Sequence, residues 1–381
     1  MLPSLWIRNF RALEDFHVPT LGRVNLIVGK NNTGKSSILE ALHVYAQNAN
    51  PSLLNELLIG HDEVLRSLNQ PGSPTEADEQ IPYQNFFSGR TFPKSDDVSL
   101  YIGDREETHF VRIAHTYYIE EGSTDTEGDI SIKRIPVRKT DIPEETGQAL
   151  LISSSRREHP RWMTINEGPS PGFRLGRVAV HDPLTIPVGI VPTGLLPSAR
   201  LADLWDSIAL TNFDEIVRDG LRIIESRVEG IAFVKRDASR LRSEPDRAAI
   251  VKLAGVDRPV ALNSMGDGMV RVLQLLLALI PARGGLYLVD EFENGLHYSV
   301  QEKVWQLLFE LAKLNDVQIF AATHSWDCIE AFKNVASRAE DPAVLFRIGQ
   351  SIKTSDKGKM IATVFDRDAL ARLTQADVEL R

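Results

Sequence analysis

A single cysteine, Cys328, stands in 381 residues, which excludes an internal disulfide or a cysteine-rich metal site and fits a reducing cytosol. On its own it reads as a small buried apolar residue. Long apolar runs are missing too. The stretch from Val272 to Ile280 is far shorter than a membrane span, and Arg8 comes too early in MLPSLWIRNF for a secretory signal. The expected setting is therefore cytoplasmic, without a membrane partner. Basic residues are in deficit: 43 Lys and Arg against 52 Asp and Glu leave a net charge of −9. That argues against a protein whose main business is coating nucleic acid, though not against a local basic patch. No extended heptad run, internal repeat or low-complexity tract occurs. What remains is an ordinary globular composition, 43% apolar and 25% charged, long enough for two or three domains or one large α/β unit with insertions.

What is there is organised around Val24–Tyr45, VNLIVGKNNTGKSSILEALHVY. Val24–Val28 has the length and β-branched content of a buried strand and stops at Gly29. Ile38, Leu39, Ala41, Leu42 and Tyr45 then recur at helical spacing. Between them lies Gly29-x-x-x-x-Gly34-Lys35-Ser36, a phosphate-binding loop in the strand-to-helix context it requires, with Lys30, Asn31, Asn32 and Thr33 inside it and Ser37 after it. The two glycines let backbone N–H groups turn inward at phosphate oxygens, and the helix N-terminus adds partial positive charge. Lys35 can reach the β- and γ-phosphates, and the Ser36 hydroxyl is placed for Mg²⁺. The bland alternative is a chance Gly/Lys turn. The pattern thus predicts ATP and Mg²⁺ as cofactors.

Residues 4–10 read as a first strand, and Phe16-His17-Val18 with Val24–Val28 as the continuation of one sheet after the turn at Gly22. Residues 47–97 are acidic and loop-prone, with Pro71-Gly72-Ser73-Pro74 and Glu76, Asp78 and Glu79. From Val98 to about Val191 short strands alternate with turns, among them 98–102, 109–113, 116–119 and 130–133, predicting a half-exposed antiparallel sheet. Between 130 and 177, Lys133, Arg134, Arg138, Lys139, Arg156, Arg157, Arg161, Arg174 and Arg177 outnumber Asp141, Glu144, Glu145, Glu158 and Glu167 by nine to five. This is either a docking face for DNA or an acidic partner, or simply a solvated sheet face. After Pro197 helical spacing returns at Leu201–Ala209 and Ile216–Ile224.

Residues 261–297 supply what a lone phosphate loop lacks. Leu286–Val289 is a buried strand running into Asp290-Glu291, where Asp290 would hold the Mg²⁺ shell and Glu291 orient or deprotonate the attacking water. The pair could instead cap the next turn. Upstream, Asn263-Ser264-Met265-Gly266-Asp267-Gly268 opens a helix from about Met269 to Ile280, and small polar residues at a helix N-terminus make an anion site. An N-cap with a Gly-rich turn is the plain alternative. Val317–Ala322 is another buried strand, ending at Thr323-His324-Ser325, where a histidine can report on a γ-phosphate or merely be satisfied in the core.

The order of these motifs resembles the ABC-type ATPase superfamily, and SMGDGMVRVLQLLLAL, LVDEFENGLH and FAATHSWDCIEAF look most like OLD-like ATP-binding proteins of the RecF/SMC-like branch. The resemblance covers residues 1–48 and 261–335. It implies an α/β P-loop NTPase, an ABC-type head with a mixed central sheet, an antiparallel β lobe and a helical lobe. Lobe I would be 1–193, with 47–97 as an insertion, and lobe II 194–381, both forming one head. By the same resemblance Arg11 is a candidate phosphate contact, and Gln84 a candidate Q-loop metal ligand; the alternatives are a solvated charge and a polar loop residue. Ser264 and Gly266 take the Ser and second Gly places of Leu-Ser-Gly-Gly-Gln, with Met265 and Asp267 departing from that wording. His324 takes the switch position, and His297 lies in the D-loop. The family implies a homodimer closed on two ATP molecules, with higher oligomers left open. Full OLD proteins continue into a TOPRIM nuclease domain. This chain runs about 57 residues past His324, so Asp366-Arg367-Asp368 reads as a strand end and helix cap, and the expected nuclease is a separate effector polypeptide in phage defence. A RecF-like clamp on duplex DNA is the alternative.

Overall fold

Alternate residues of the N-terminal strand face opposite ways: Leu5 and Ile7 are buried while Trp6 and Arg8 stay partly exposed, the period of a half-solvated sheet. In the computed structural model, which describes residues 1–63, 81–124, 130–143, 146–165, 184–235, 247–353, 356, 358–365 and 367–372, that pattern extends over a whole antiparallel layer. The strands are β1 (Leu5–Phe10), β2 (Leu13–Val18), β4 (Leu100–Gly103), β5 (Phe110–Thr124), β6 (Ile130–Val137), β7 (Gly147–Ser154) and β8 (Arg161–Thr164). They run in the order β2-β1-β4-β5-β7-β8, with β6 also on β5.

A second sheet holds β3 (Val24–Val28), β9 (Val188–Val191), β13 (Leu286–Val289), β14 (Gln318–Thr323), β15 (Ala343–Gln350) and β16 (Met360–Phe365), ordered β16-β15-β3-β14-β13-β9. All its pairings are parallel except β15 with β16. β3 is apolar almost throughout because both its faces are covered. Ile27 joins one core, with the inner face of the first sheet and α1 (Lys35–Ala46), α1 lying between the sheets. Val24, Leu26 and Val28 join the other. That second core gathers α3 (Ser198–Asp206), α4 (Asn212–Arg222), α5 (Asp267–Leu279), α6 (Tyr298–Leu314) and α7 (Trp326–Ala336), and the small sheet β10 (Val228–Lys235), β11 (Arg247–Leu253), β12 (Val260–Ala261). Helices α2 (Pro51–Gly60) and α8 (Arg367–Arg372) complete the described elements. Asn25, the polar exception in β3, is fully buried and bonds the Gly22 N–H and carbonyl and the Ile319 carbonyl.

Three expectations about strands need correction. Phe16–Val18 and Val24–Val28 do not share a sheet: the chain turns at Gly22 from the antiparallel layer into the parallel one. The stretches 109–113 and 116–119 are one strand of 15 residues, since Ala114-His115 brings no turn-forming residue and β7 pairs across it without interruption. Val188–Val191 leaves the antiparallel set and lies parallel beside β13. The acid-rich part of 47–97 beyond Glu63, Glu144, Glu145, Glu167, Arg174, Arg177 and Asp366, together with the side chain of Asp368, fall outside the described residues. Among the described residues no helix is long and apolar enough to cross a membrane.

Candidate functional site

Parallel strands deliver their following loops to one edge of a sheet, and ligands of open α/β folds sit outside those carboxyl ends. Here β3, β14, β13 and β9 stand side by side, so the loops after Val28, Thr323, Val289 and Val191 meet. The P-loop starts α1 with Gly34 as N-cap at φ 100°, ψ 18°, a left-handed conformation that favours glycine. Asn31 and Asn32 are exposed, Ser37 is half-buried, and the Thr33 hydroxyl donates to the Lys30 carbonyl at 2.8 Å. Lys35 is buried. Its ammonium donates to the Gly29 and Lys30 carbonyls, both at 2.9 Å. Burial pushes its pKa below the usual lysine range against the opposing pull of Asp290, Glu293 and Glu291, so the site concentrates negative charge around one lysine.

Ser36, at the start of α1, donates its hydroxyl to Asp290 Oδ2 at 2.8 Å across 254 residues of chain. The Thr193 hydroxyl donates to the same oxygen at 3.1 Å. An acidic oxygen ringed by hydroxyls is a donor set for a hard cation, and Mg²⁺ needs few protein ligands because it keeps waters and phosphates. The residues therefore fit a Mg²⁺–nucleotide. Among the described residues there is no cluster of three or more His, Cys, Asp and Glu that would make a protein-only metal cage.

Glu291 stands beyond the strand at φ 42°, an uncommon conformation for a side-chain-bearing residue, and its Oε2 accepts from Asn294 Nδ2 at 3.0 Å. His324, at the end of β14, is 41% exposed at its side chain, with Nδ1 3.0 Å from Glu293 Oε1. The same Glu293 oxygen accepts from the His324 backbone N–H at 3.0 Å, and its Oε2 accepts from the Thr323 hydroxyl at 2.7 Å.

Ser264 and Gly266 stand exposed ahead of α5, with the Ser264 hydroxyl donating to the Ala261 carbonyl at 2.7 Å. Gly266, at φ 98° and ψ 161°, has a conformation that side-chain-bearing residues rarely adopt. This loop abuts the turn carrying His297: a Cβ on Gly268 would meet the Gly295 carbonyl at 3.0 Å. His297 caps α6, its Nδ1 2.8 Å from the Ser299 hydroxyl. The two motifs form one exposed face.

Two expected contacts have other recorded surroundings: Arg11 meets carboxylates and Gln84 sits in a short turn. The Arg11 guanidinium lies 2.8 Å from Glu40 and 3.4 Å from Glu63 and is only 12% exposed, so its charge is engaged by carboxylates rather than presented to a phosphate. Gln84 lies in a 3-10 turn, Tyr83–Phe86, where Phe86 stacks on Phe10 of β1; the strand end beside Asp290 carries Thr193. The basic stretch is largely engaged within the protein: Arg134 pairs with Glu120 at 3.0 Å, Lys139 donates to the Pro93 carbonyl at 2.7 Å, and Arg156 donates to the Tyr45 carbonyl.

Four site residues escape the sequence reading. Thr193 occupies a loop without a motif of its own, and Asn294 and Glu293 lie within DEFENGLH with no role read from them. Arg271 leaves a readable signal, a charge inside the apolar run VRVLQLLLAL. It is 2% exposed and donates to the carbonyls of Pro192 at 3.0 Å, Asp290 at 2.8 Å and Glu291 at 2.6 Å, tying the helix behind Ser264 to the backbone of the acidic pair.

Fold and site together define a P-loop ATPase head. Two family models match: "AAA ATPase domain" over residues 1–144 and "AAA domain, putative AbiEii toxin, Type IV TA system" over residues 184–366. An ATP/GTP phosphatase of Helicobacter pylori is 22% identical over 88% of this chain and 88% of its own length. An OLD nuclease of Thermus scotoductus is 22% identical over 93% of this chain, which spans 66% of that protein. Among solved structures, an SMC head bound to the C-winged helix domain of ScpA is 12% identical over 98% of this chain and 99% of its own, with a TM-score of 0.46. Both halves of the chain thus match AAA ATPase models, and the whole is similar to OLD-like ATPases.

Proposed function

We propose that the protein hydrolyses ATP as a homodimer in which the P-loop of one subunit and the Ser264–Gly266 loop of the other enclose each nucleotide. The observation that carries the catalytic half is the Ser36–Asp290 hydrogen bond, which joins the phosphate loop to the acidic strand end. The trans half is supported by the Ser264–Gly266 loop, which is exposed at both residues and leads into α5 beside the D-loop turn. In this reading the P-loop N–H groups and Lys35 bind the phosphates, and Ser36 and Asp290 hold Mg²⁺, which would offset phosphate charge as the γ-bond breaks. Glu291 orients and deprotonates water, and His324 contacts the γ-phosphate with Glu293 behind it. Nucleotide state would then control a separately encoded effector, a TOPRIM-type nuclease in phage defence within the cytoplasm. Similarity to an OLD nuclease supports that class of partner. The internal engagement of Arg134, Lys139 and Arg156 disfavours a DNA clamp.

The test is Glu291→Gln with ATP and Mg²⁺. A doubling of mass in light scattering, absent with ADP, is the expected result; a chain that stays monomeric at every ATP concentration overturns the dimer.

A further inference from the structure

Each of three consecutive carbonyls after β9 is held by a side chain from elsewhere in the chain. Pro192 accepts from Arg271 at 3.0 Å, Thr193 from Asn294 at 3.0 Å, and Gly194 from Gln274 at 3.0 Å. Two of these donors are buried in α5 and the third also reaches Glu291. A loop pinned at three successive points holds its one free side chain in a fixed place. That side chain is Thr193, and its hydroxyl rests 3.1 Å from the Asp290 oxygen that Ser36 also meets.

We infer that Thr193 is the third protein oxygen of the cation shell, the role that the family resemblance gives to Gln84. The inference rests on the proposed site and names a residue that no motif assigns. Two hydroxyls converging on one carboxylate oxygen are redundant if their purpose is only to satisfy Asp290, whose other oxygen accepts the Glu291 N–H at 3.1 Å. They fit a hard cation better, since each hydroxyl can turn its lone pair to the ion, directly or across one water, once the ion takes the carboxylate. A threonine on a pinned loop also differs from a long glutamine in reach. Its hydroxyl lies against the Asp290 oxygen, so the inferred role is in metal affinity, with ATP and ADP alike.

The experiment titrates Mn²⁺, as a paramagnetic stand-in for Mg²⁺, into the full chain saturated with ADP and follows free Mn²⁺ by EPR. Thr193→Val keeps the shape and removes the oxygen; Thr193→Ser keeps the oxygen. Thr193→Val should raise the half-saturating Mn²⁺ concentration about tenfold, the scale expected for a residue just outside or at the edge of a metal's shell, and Thr193→Ser should restore it. Metal-free ADP affinity should not move. Should the valine variant unfold, the serine variant together with Thr193→Ala carries the same comparison. Equal Mn²⁺ affinity in wild type and the oxygen-free variants overturns the role of Thr193. Ser36→Ala separates the two levels: if it too leaves Mn²⁺ binding unchanged, the proposed metal site itself fails, whereas a large loss there with none at position 193 refutes Thr193 alone.

Discussion

His324 donates its backbone N–H to Glu293 Oε1 at 3.0 Å, and its ring Nδ1 lies 3.0 Å from the same oxygen without hydrogen-bond geometry. Together with the Thr323 hydroxyl, which donates to the other carboxylate oxygen, the backbone bond anchors the strand end that carries His324. Glu293→Ala should therefore lower turnover by about 10²-fold, within the range of a misplaced catalytic contact, while ATP affinity stays close to wild type. Thr323 loses its acceptor as well. A stability loss of about 1–3 kcal/mol should accompany it in denaturant melts. A fall in affinity with unchanged turnover would place Glu293 in binding instead.

Lys35→Ala removes the cation that the P-loop wraps around. ATP binding should fall by more than about 100-fold in calorimetry, since a desolvated lysine–phosphate pair contributes several hydrogen-bond equivalents. The apo protein should not be destabilised to match. Burial already depresses this ammonium, and its removal relieves that desolvation.

Gly266→Ala places a Cβ on a residue at φ 98°. The strain, of order 1–3 kcal/mol, falls on an exposed loop outside both cores. The expected variant binds ATP as tightly as wild type but no longer forms the ATP-dependent dimer of Glu291→Gln in light scattering. Normal dimerisation would mean that the signature loop is not an interface.

Burial lowers His43 and His115 from 6.5 to about 4; a hydrogen bond to Gln148 only partly offsets this for His115, which stacks on Phe92 at 4.0 Å. Their folded pKa values lie below the unfolded ones, so between pH 4 and 6.5 the unfolded chain binds the extra protons. Stability therefore rises with pH across that window and is lost as pH falls through it. Denaturant midpoints at pH 4.5, 5.5 and 7 should decline toward acid, and His115→Gln should flatten the slope. An unchanged slope would show that His115 protonates in the folded chain without cost.

The phosphate loop and acidic pair are legible in the sequence because each needs particular residue types at fixed spacing after a strand. The residue beside Asp290 is set by topology, which brings Thr193 to that carboxylate. Which strand lies beside β13 depends on residues 188–191, a four-residue segment with no periodicity to separate it from the antiparallel strands before it. The surroundings of Arg11 are hidden for a different reason: its neighbours Glu40 and Glu63 come from α1 and from just beyond α2, and no local pattern reveals such a meeting. Helix α5 could be read as buried from its many apolar residues, and Arg271 and Gln274 are the polar interruptions in that run.

The phosphate-loop strand lies between β14 and β15, so its two hydrogen-bonded neighbours are made some 290 to 320 residues after it. During synthesis Val24–Val28 leaves the ribosome with both edges unpaired and waits for nearly the entire remaining chain. Emerging chains should therefore need shielding by chaperones, and truncations before β15 should yield aggregates rather than smaller folded heads.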